Sequence, residues 1–463
     1  MKSLKTFLIW GIVVLVGVAS FTTLAISRGE QVSAVWMVTA AVSVYCIAYR
    51  FYSLYIAKYV MQLDPNRLTP AERHNDGLDY VPTHKGVLFG HHFAAIAGAG
   101  PLVGPVLAAQ MGYLPGTLWI IFGVVFAGAV QDMMVLFVSM RRDGKSLGDI
   151  VKQELGTVPG VIASIGILMI MVIIMAVLAL IVVKALVHSP WGTFTIAATM
   201  PIALFMGIYT RYIRPGKIGE ISIVGFILLM LAVIYGDNVA HSSIGHWFDL
   251  DGIQLTWAIM IYGFVASVLP VWLLLTPRDY LSTFLKIGTI VALAIGILIV
   301  SPALQMPAVT HFIDGSGPVF SGALFPFLFI TIACGAVSGF HALISSGTTP
   351  KMLENETHVR MIGYGGMLME SFVAIMALAA AASLDPGVYF AMNSPAALIG
   401  TDANTAAEVI TTKLQFPVDA ATLLHTAKEV GENTILSRAG GAPTLAVGMA
   451  HIMSRLIPGE AMM

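Results

Sequence analysis

The sequence predicts an all-α polytopic membrane protein of about eleven or twelve transmembrane helices, some of them broken. Three observations carry this expectation. The 463 residues are 57% hydrophobic and only 11% charged, with a mean hydropathy of +0.85, whereas soluble domains carry about 25% charge. Apolar runs long enough to cross a bilayer recur along the whole chain. The basic residues gather at alternate ends of those runs. The net charge of -1 offers no basic excess for nucleic acid.

At the N-terminus, Lys2 and Lys5 precede an apolar run at 7–27. It has no clean small-x-small cleavage site behind a shorter core, so it reads as a first helix rather than a signal peptide. Further runs lie at 33–57, 88–111, 117–140, 158–187, 191–211, 218–236, 254–276, 281–301, 322–345 and 362–384, with a weaker one at 436–456. With the N-terminus in the cytoplasm and every run crossing, only Arg28, Lys184, Lys413, Lys428 and Arg438 of the 24 Lys and Arg fall outside the inner ends. If 88–111 did not cross, the basic clusters at 141–152 and 211–217 would both face outward. The expectation is one transmembrane domain over 1–463, with a cytoplasmic loop at 61–86 and a periplasmic stretch at 385–435. The outer stretch has helical patches at 404–414 and 419–430, divided by Pro417. A small cap and a passive linker both fit it.

Two runs do not look like plain anchors. Residues 85–104, KGVLFGHHFAAIAGAGPLVG, hold two histidines, five glycines and a proline. Glycine and proline open the backbone ladder, and freed polar groups survive at membrane depth only against protein or a watery cavity. Carriers build binding sites from such broken segments. Gly98, Gly100 and Gly104 offer backbone N–H groups to a substrate carboxylate, because a helix N-terminus favours anions. The second broken run is GAVSGFHALISSGTTP (335–350). Its Gly335, Ser338 and Gly339 permit close helix approach. Ser345, Ser346, Thr348 and Thr349 cluster before Pro350, where hydroxyls and carbonyls suit Na⁺ or a substrate; helix capping is the plain alternative. SRAGGAP (437–443) has similar chemistry. Run 254–276, with Gly263 and Pro270, comes five crossings after 88–111 and leaves room for an inverted repeat.

Charged groups at membrane depth are costly and mark pathways. Asp132 lies in the inner half of its run, Glu370 about nine residues into its own, and His341, His91 and His92 at broadly similar depths. Converging carboxylates and imidazoles suit a proton relay. Adjacent helix positions diverge, so at most one of His91 and His92 faces a shared cavity. Lys184 and Lys286 are expected to snorkel to the nearer surface. Cys46 and Cys334 read as buried free thiols, neither disulfide nor metal site. No GxxxxGK[ST], HExxH or paired CxxC occurs, so neither an enzyme nor a cofactor is expected.

Several long motifs carry a resemblance: FGHHFAAIAGAGPLVGPVLAAQMGYLPG (89–116), GAVQDMMVLFVSMRRDGKSLG (128–148), PRDYLSTFLKIG (277–288), FPFLFITIACGAVSGFHALISSGTTPK (325–351) and RAGGAPTLAVGMA (438–450). Over essentially its whole length the chain resembles the carbon starvation protein A family of the amino acid–polyamine–organocation superfamily. The resemblance implies a bacterial inner-membrane secondary carrier for a small carboxylate-bearing nutrient, a peptide during carbon starvation or pyruvate. Protons or sodium would supply the coupling. A membrane nutrient sensor and a channel are the readings from other classes. Family members usually continue past RAGGAP, so a C-terminally shortened form is expected.

Overall fold

The computed structural model describes residues 32–430, 432–438 and 440–455. The run at 7–27 and the basic residues ahead of it lie outside the described residues. Among those described, the chain is helical, with two isolated β-bridges and no strand. Seven of the described helices are long and apolar enough to cross a membrane. They are α1 (Ala34–Val60), α4 (Tyr113–Arg141), α5 (Thr157–Leu186), α6 (Pro190–Ile213), α7 (Ile218–Ala240), α9 (Leu275–Val300) and α12 (Arg360–Ala382). A bent pair, α2 (Lys85–Ile96) and α3 (Gly100–Ala108), makes an eighth span, with a 45° bend between its halves. The chain is a multi-pass membrane protein.

Local chemistry sets the ends. The Ser33 hydroxyl accepts from Val35 N–H, the Asp251 carboxylate from Ile253 and Gln254 N–H, and Asp385 from Gly387 N–H. Each meets donors that a helix start leaves open. α8 (Gly252–Val268) is continuous, and nothing lies within 4 Å of a Cβ built on Gly263. The helix ends at Val268, Leu269 is extended ahead of Pro270, and the next helix starts at Leu275, so run 254–276 is interrupted at 269–274 and not at Gly263. Run 322–345 is broken too, within the stretch 335–350 where its glycines suggested it. α10 (Ala333–Ala336) and α11 (Gly339–Ser345) are separated by an extended Val337–Ser338 step.

Burial sorts these helices. In α12, 83% of the apolar window is buried, against none in α5. α12 is therefore the axis, and α5 presents a surface to lipid that is apolar over its middle turns, with Lys184 exposed in its last turn. The broken segments α2–α3 and α10–α11 pack beside α12 with α4 (Tyr113–Arg141). The stretch expected as a loop from 385 begins as core: α13 (Pro386–Asn393) is buried along its length, with the Tyr389 hydroxyl donating to the carbonyl of Val106. α14 (Ala403–Thr412) and α15 (Ala420–Glu429) come next, either side of Pro417. α16 (Ala442–Met453) packs its Gly448 on the Ala380 backbone.

The loops at 61–86, 141–157 and 350–360 assemble on one face. Arg73 pairs with Asp143 at 2.5 Å, and the Tyr80 hydroxyl donates to the Asp143 carbonyl. Val81 and Thr83 N–H donate to the carbonyls of Lys351 and Met352, and Arg141 meets the buried Glu356. On the opposite face Ala34 N–H donates to Pro302 and Gln305 N–H to Ala382. The fully buried Gln110 amide ties residues 319–320 there, accepting from Val319 N–H and donating to the Phe320 carbonyl.

Candidate functional site

α4 and α12 each contain a π-helical turn, Val124–Gly128 and Arg360–Gly365, ahead of their carboxylates Asp132 and Glu370. Such turns shift the register of the residues after them and are frequent at functional sites. Gly363 lets the two helices close at this point: a Cβ there would lie 2.7 Å from the Met133 Cα. The second break then brings His341 between them. The Gln131 amide holds that break by donating to the Ser338 carbonyl at 2.5 Å.

The result is a buried chain of three groups. His341 Nδ1 is 2.9 Å from Asp132 Oδ2, and Nε2 is 2.9 Å from Glu370 Oε2. All three side chains have zero exposure. The first contact is a hydrogen bond; the second is at ion-pair distance but is misaligned, so Glu370 Oε2 has no hydrogen-bond partner. Cys334 joins them, its thiol donating to Glu370 Oε1 at 3.4 Å and lying 3.8 Å from His341 Nε2. Among the described residues no Lys or Arg is within ion-pair distance of either carboxylate.

The adjacent histidines part company. His92 Nδ1 is 2.9 Å from Thr349 Oγ1, whereas His91 Nδ1 lies 2.9 Å from Asp279 Oδ2. The hydroxyl cluster is divided as well. Ser346 bonds back to the Ala342 carbonyl, the buried Ser345 Oγ has no partner, and Thr348 is half-buried. Of the three glycines, Gly98 faces open room, while a Cβ on Gly100 would meet Cys334 Sγ at 2.5 Å and one on Gly104 would run into the Thr331 carbonyl oxygen. The last two are where the broken segments touch.

Three expectations need correction. Lys286 does not snorkel: its ammonium turns inward and donates to the carbonyls of Ala94 and Ala97, at 2.9 and 2.8 Å. It thereby caps the opened end of α2, where a cation suits the exposed carbonyls. Cys46 is exposed, and Cys334 is half-buried within a group of possible ligands rather than an inert thiol. Sequence reading missed both inward turns, because a lysine or cysteine in an apolar run has the same appearance whichever way it points. Asp279, directly after Arg278 near the start of its run, carried a signal that went unused.

No solved structure matches the chain. It is 66% identical to the peptide transporter CstA of Escherichia coli over 98% of this chain and 65% of that protein. It is 59% identical to the pyruvate/proton symporter BtsT of Escherichia coli, over 97% of this chain and 66% of that protein. A peptide transporter CstA of Bacillus subtilis is 47% identical over 91% of this chain and 68% of its own length. The chain thus spans about two thirds of the length of the curated relatives it matches. A family model described as carbon starvation protein CstA matches residues 33–463, and with these relatives it shows that the chain belongs to the carbon starvation protein CstA family.

Proposed function

We propose that this chain acts as a proton-coupled carrier that takes up peptides across the bacterial inner membrane, with its N-terminus in the cytoplasm. The observation that carries this reading is the buried Asp132–His341–Glu370 chain. Two carboxylates against one imidazole leave a negative charge unmatched when all are ionised, at a depth where charge is expensive. Taking up a proton removes it. A group whose burial and protonation trade against each other is suited to tie proton entry to a change of conformation. The breaks at 97–99 and 337–338 lie beside it and supply the element that moves. In this reading the substrate carboxylate approaches at Gly98, which has room, with Ser338 at the second break and Ser345 and Thr348 at the far end of the short helix that follows it.

The relatives' names, transporter and symporter, support a carrier over an enzyme, and the 66% identity to a peptide transporter favours peptides. The 59% identity to a pyruvate/proton symporter supports pyruvate as the second reading, since both solutes present a carboxylate. Counterflow in proteoliposomes with a labelled dipeptide and labelled pyruvate tests this. Dipeptide exchange, accelerated by an inward proton gradient, is expected. Exchange of pyruvate alone selects the second reading. Exchange of neither, or a requirement for sodium in place of the proton gradient, overturns the proton-coupled carrier.

A further inference from the structure

We propose that Cys334, His341 and Glu370 form a binding site for a thiophilic divalent cation of the zinc class, with Asp132 as the positioning residue behind His341. One ligand atom from each of the three lies within 4.8 Å of the others. Sγ lies 3.8 Å from Nε2, and Glu370 presents a different oxygen to each partner, Oε1 at 3.4 Å from Sγ and Oε2 at 2.9 Å from Nε2. Zinc bonds of about 2.3 Å to sulfur and about 2.0–2.2 Å to nitrogen and oxygen place tetrahedral ligand atoms roughly 3.3–3.6 Å apart. The three groups close on such an ion once the Glu370 carboxylate turns one oxygen toward both partners.

The surrounding bonds point the same way. Asp132 holds His341 by Nδ1, which leaves the Nε2 lone pair free and is the usual partner arrangement behind a metal-bound imidazole. The Nε2–Oε2 contact is close yet misaligned for a hydrogen bond, which fits two lone pairs that share a third partner. The charge also suits the site. A dication that displaces the Cys334 thiol proton to water adds one net positive charge, which offsets one of the two buried carboxylates. Three protein ligands leave a fourth position for water. Gly339, two residues ahead of His341, is exposed, and Cys334 is only half-buried, so the site is within reach of an entering ion.

The site stands on these atoms alone. Blockade of uptake by zinc is a consequence that rests on the transport reading, since the ion takes atoms the proton would use. Cobalt(II) titration of the detergent-purified chain separates the two, because a thiolate-to-cobalt charge-transfer band reports the sulfur ligand without any transport. One equivalent of cobalt is expected to raise the band and zinc to abolish it. Cys46→Ala should keep the band. Cys334→Ser should lose it, and Asp132→Asn should weaken binding about 10–100-fold. Absence of the band in folded wild-type protein, or its persistence in Cys334→Ser, overturns the proposal.

Discussion

His341 has a carboxylate on each ring nitrogen, so removing the imidazole and neutralising a carboxylate are different perturbations. His341→Ala leaves two buried carboxylates facing one another with nothing between. Breaking a buried ion pair from one side costs about 3–5 kcal/mol, and a loss of that size is expected in the thermal unfolding of purified protein. Asp132→Asn and Glu370→Gln keep the shape and remove one charge, so their loss of stability should be smaller and their abundance near normal. Their effect should appear in transport, as lost uphill accumulation with exchange partly intact. If both neutral variants still concentrate substrate under a proton gradient, the relay is wrong. The three residues were legible in the sequence because each violates the apolar run that holds it. Their mutual contact was not: Asp132 and His341 are 209 positions apart. Cys334 violates nothing, and only the fold places it against Glu370.

At the scale of elements, glycine and proline signalled that 88–111 is interrupted, but not which glycines are at liberty. Gly104 is pressed on the Thr331 carbonyl, and Gly98 faces open room. Gly104→Ala should therefore lower stability by about 1–3 kcal/mol, the usual range for overpacking. Gly98→Ala should leave the melting temperature unchanged and weaken substrate binding. Equal melting temperatures for the two variants would contradict the contact between the broken segments. The break in 254–276 was expected from the same residue types and falls at Pro270 alone: the helix ends at Val268, Leu269 is extended ahead of the proline, and Gly263 interrupts nothing. The turn at 76–80 obeys plainer rules. The exposed Asp76 carboxylate accepts from the N–H groups of Leu78, Asp79 and Tyr80, and these bonds hold its pKa below the ordinary 3.8. Its contribution is full above that ordinary value and fades as pH falls through the lowered one. Exchange of the Leu78–Tyr80 amides, corrected for intrinsic rate, should accelerate over that window. In Asp76→Asn the acceleration should be gone.

Across the whole molecule, charge sidedness is the signal that sequence carries best and side-chain position the one it carries worst. The loops at 61–86, 141–157 and 350–360 were expected on one side because of their Arg and Lys. They meet there through Arg73–Asp143, Tyr80–Asp143 and Arg141–Glu356. Residues 385–393 misled, because a buried helix after a long apolar helix has the composition of a loop when it carries Asp385, Pro386 and Asn393. The inner-face assignment of the basic loops is a proposal resting on the positive-inside bias, and two exposed positions test it. Glu408 is exposed on α14 (Ala403–Thr412) and Lys145 is exposed ahead of the short helix Leu147–Leu155, whereas neighbouring Ile410 is buried and unsuitable. In a Cys46→Ala background, an impermeant thiol reagent applied to sealed cells should label Glu408→Cys and leave Lys145→Cys untouched until the membrane is opened. The reverse pattern would turn the molecule over. It would also place the face built from loops 61–86, 141–157 and 350–360 in the periplasm, against the charge bias that assigns it to the cytoplasm.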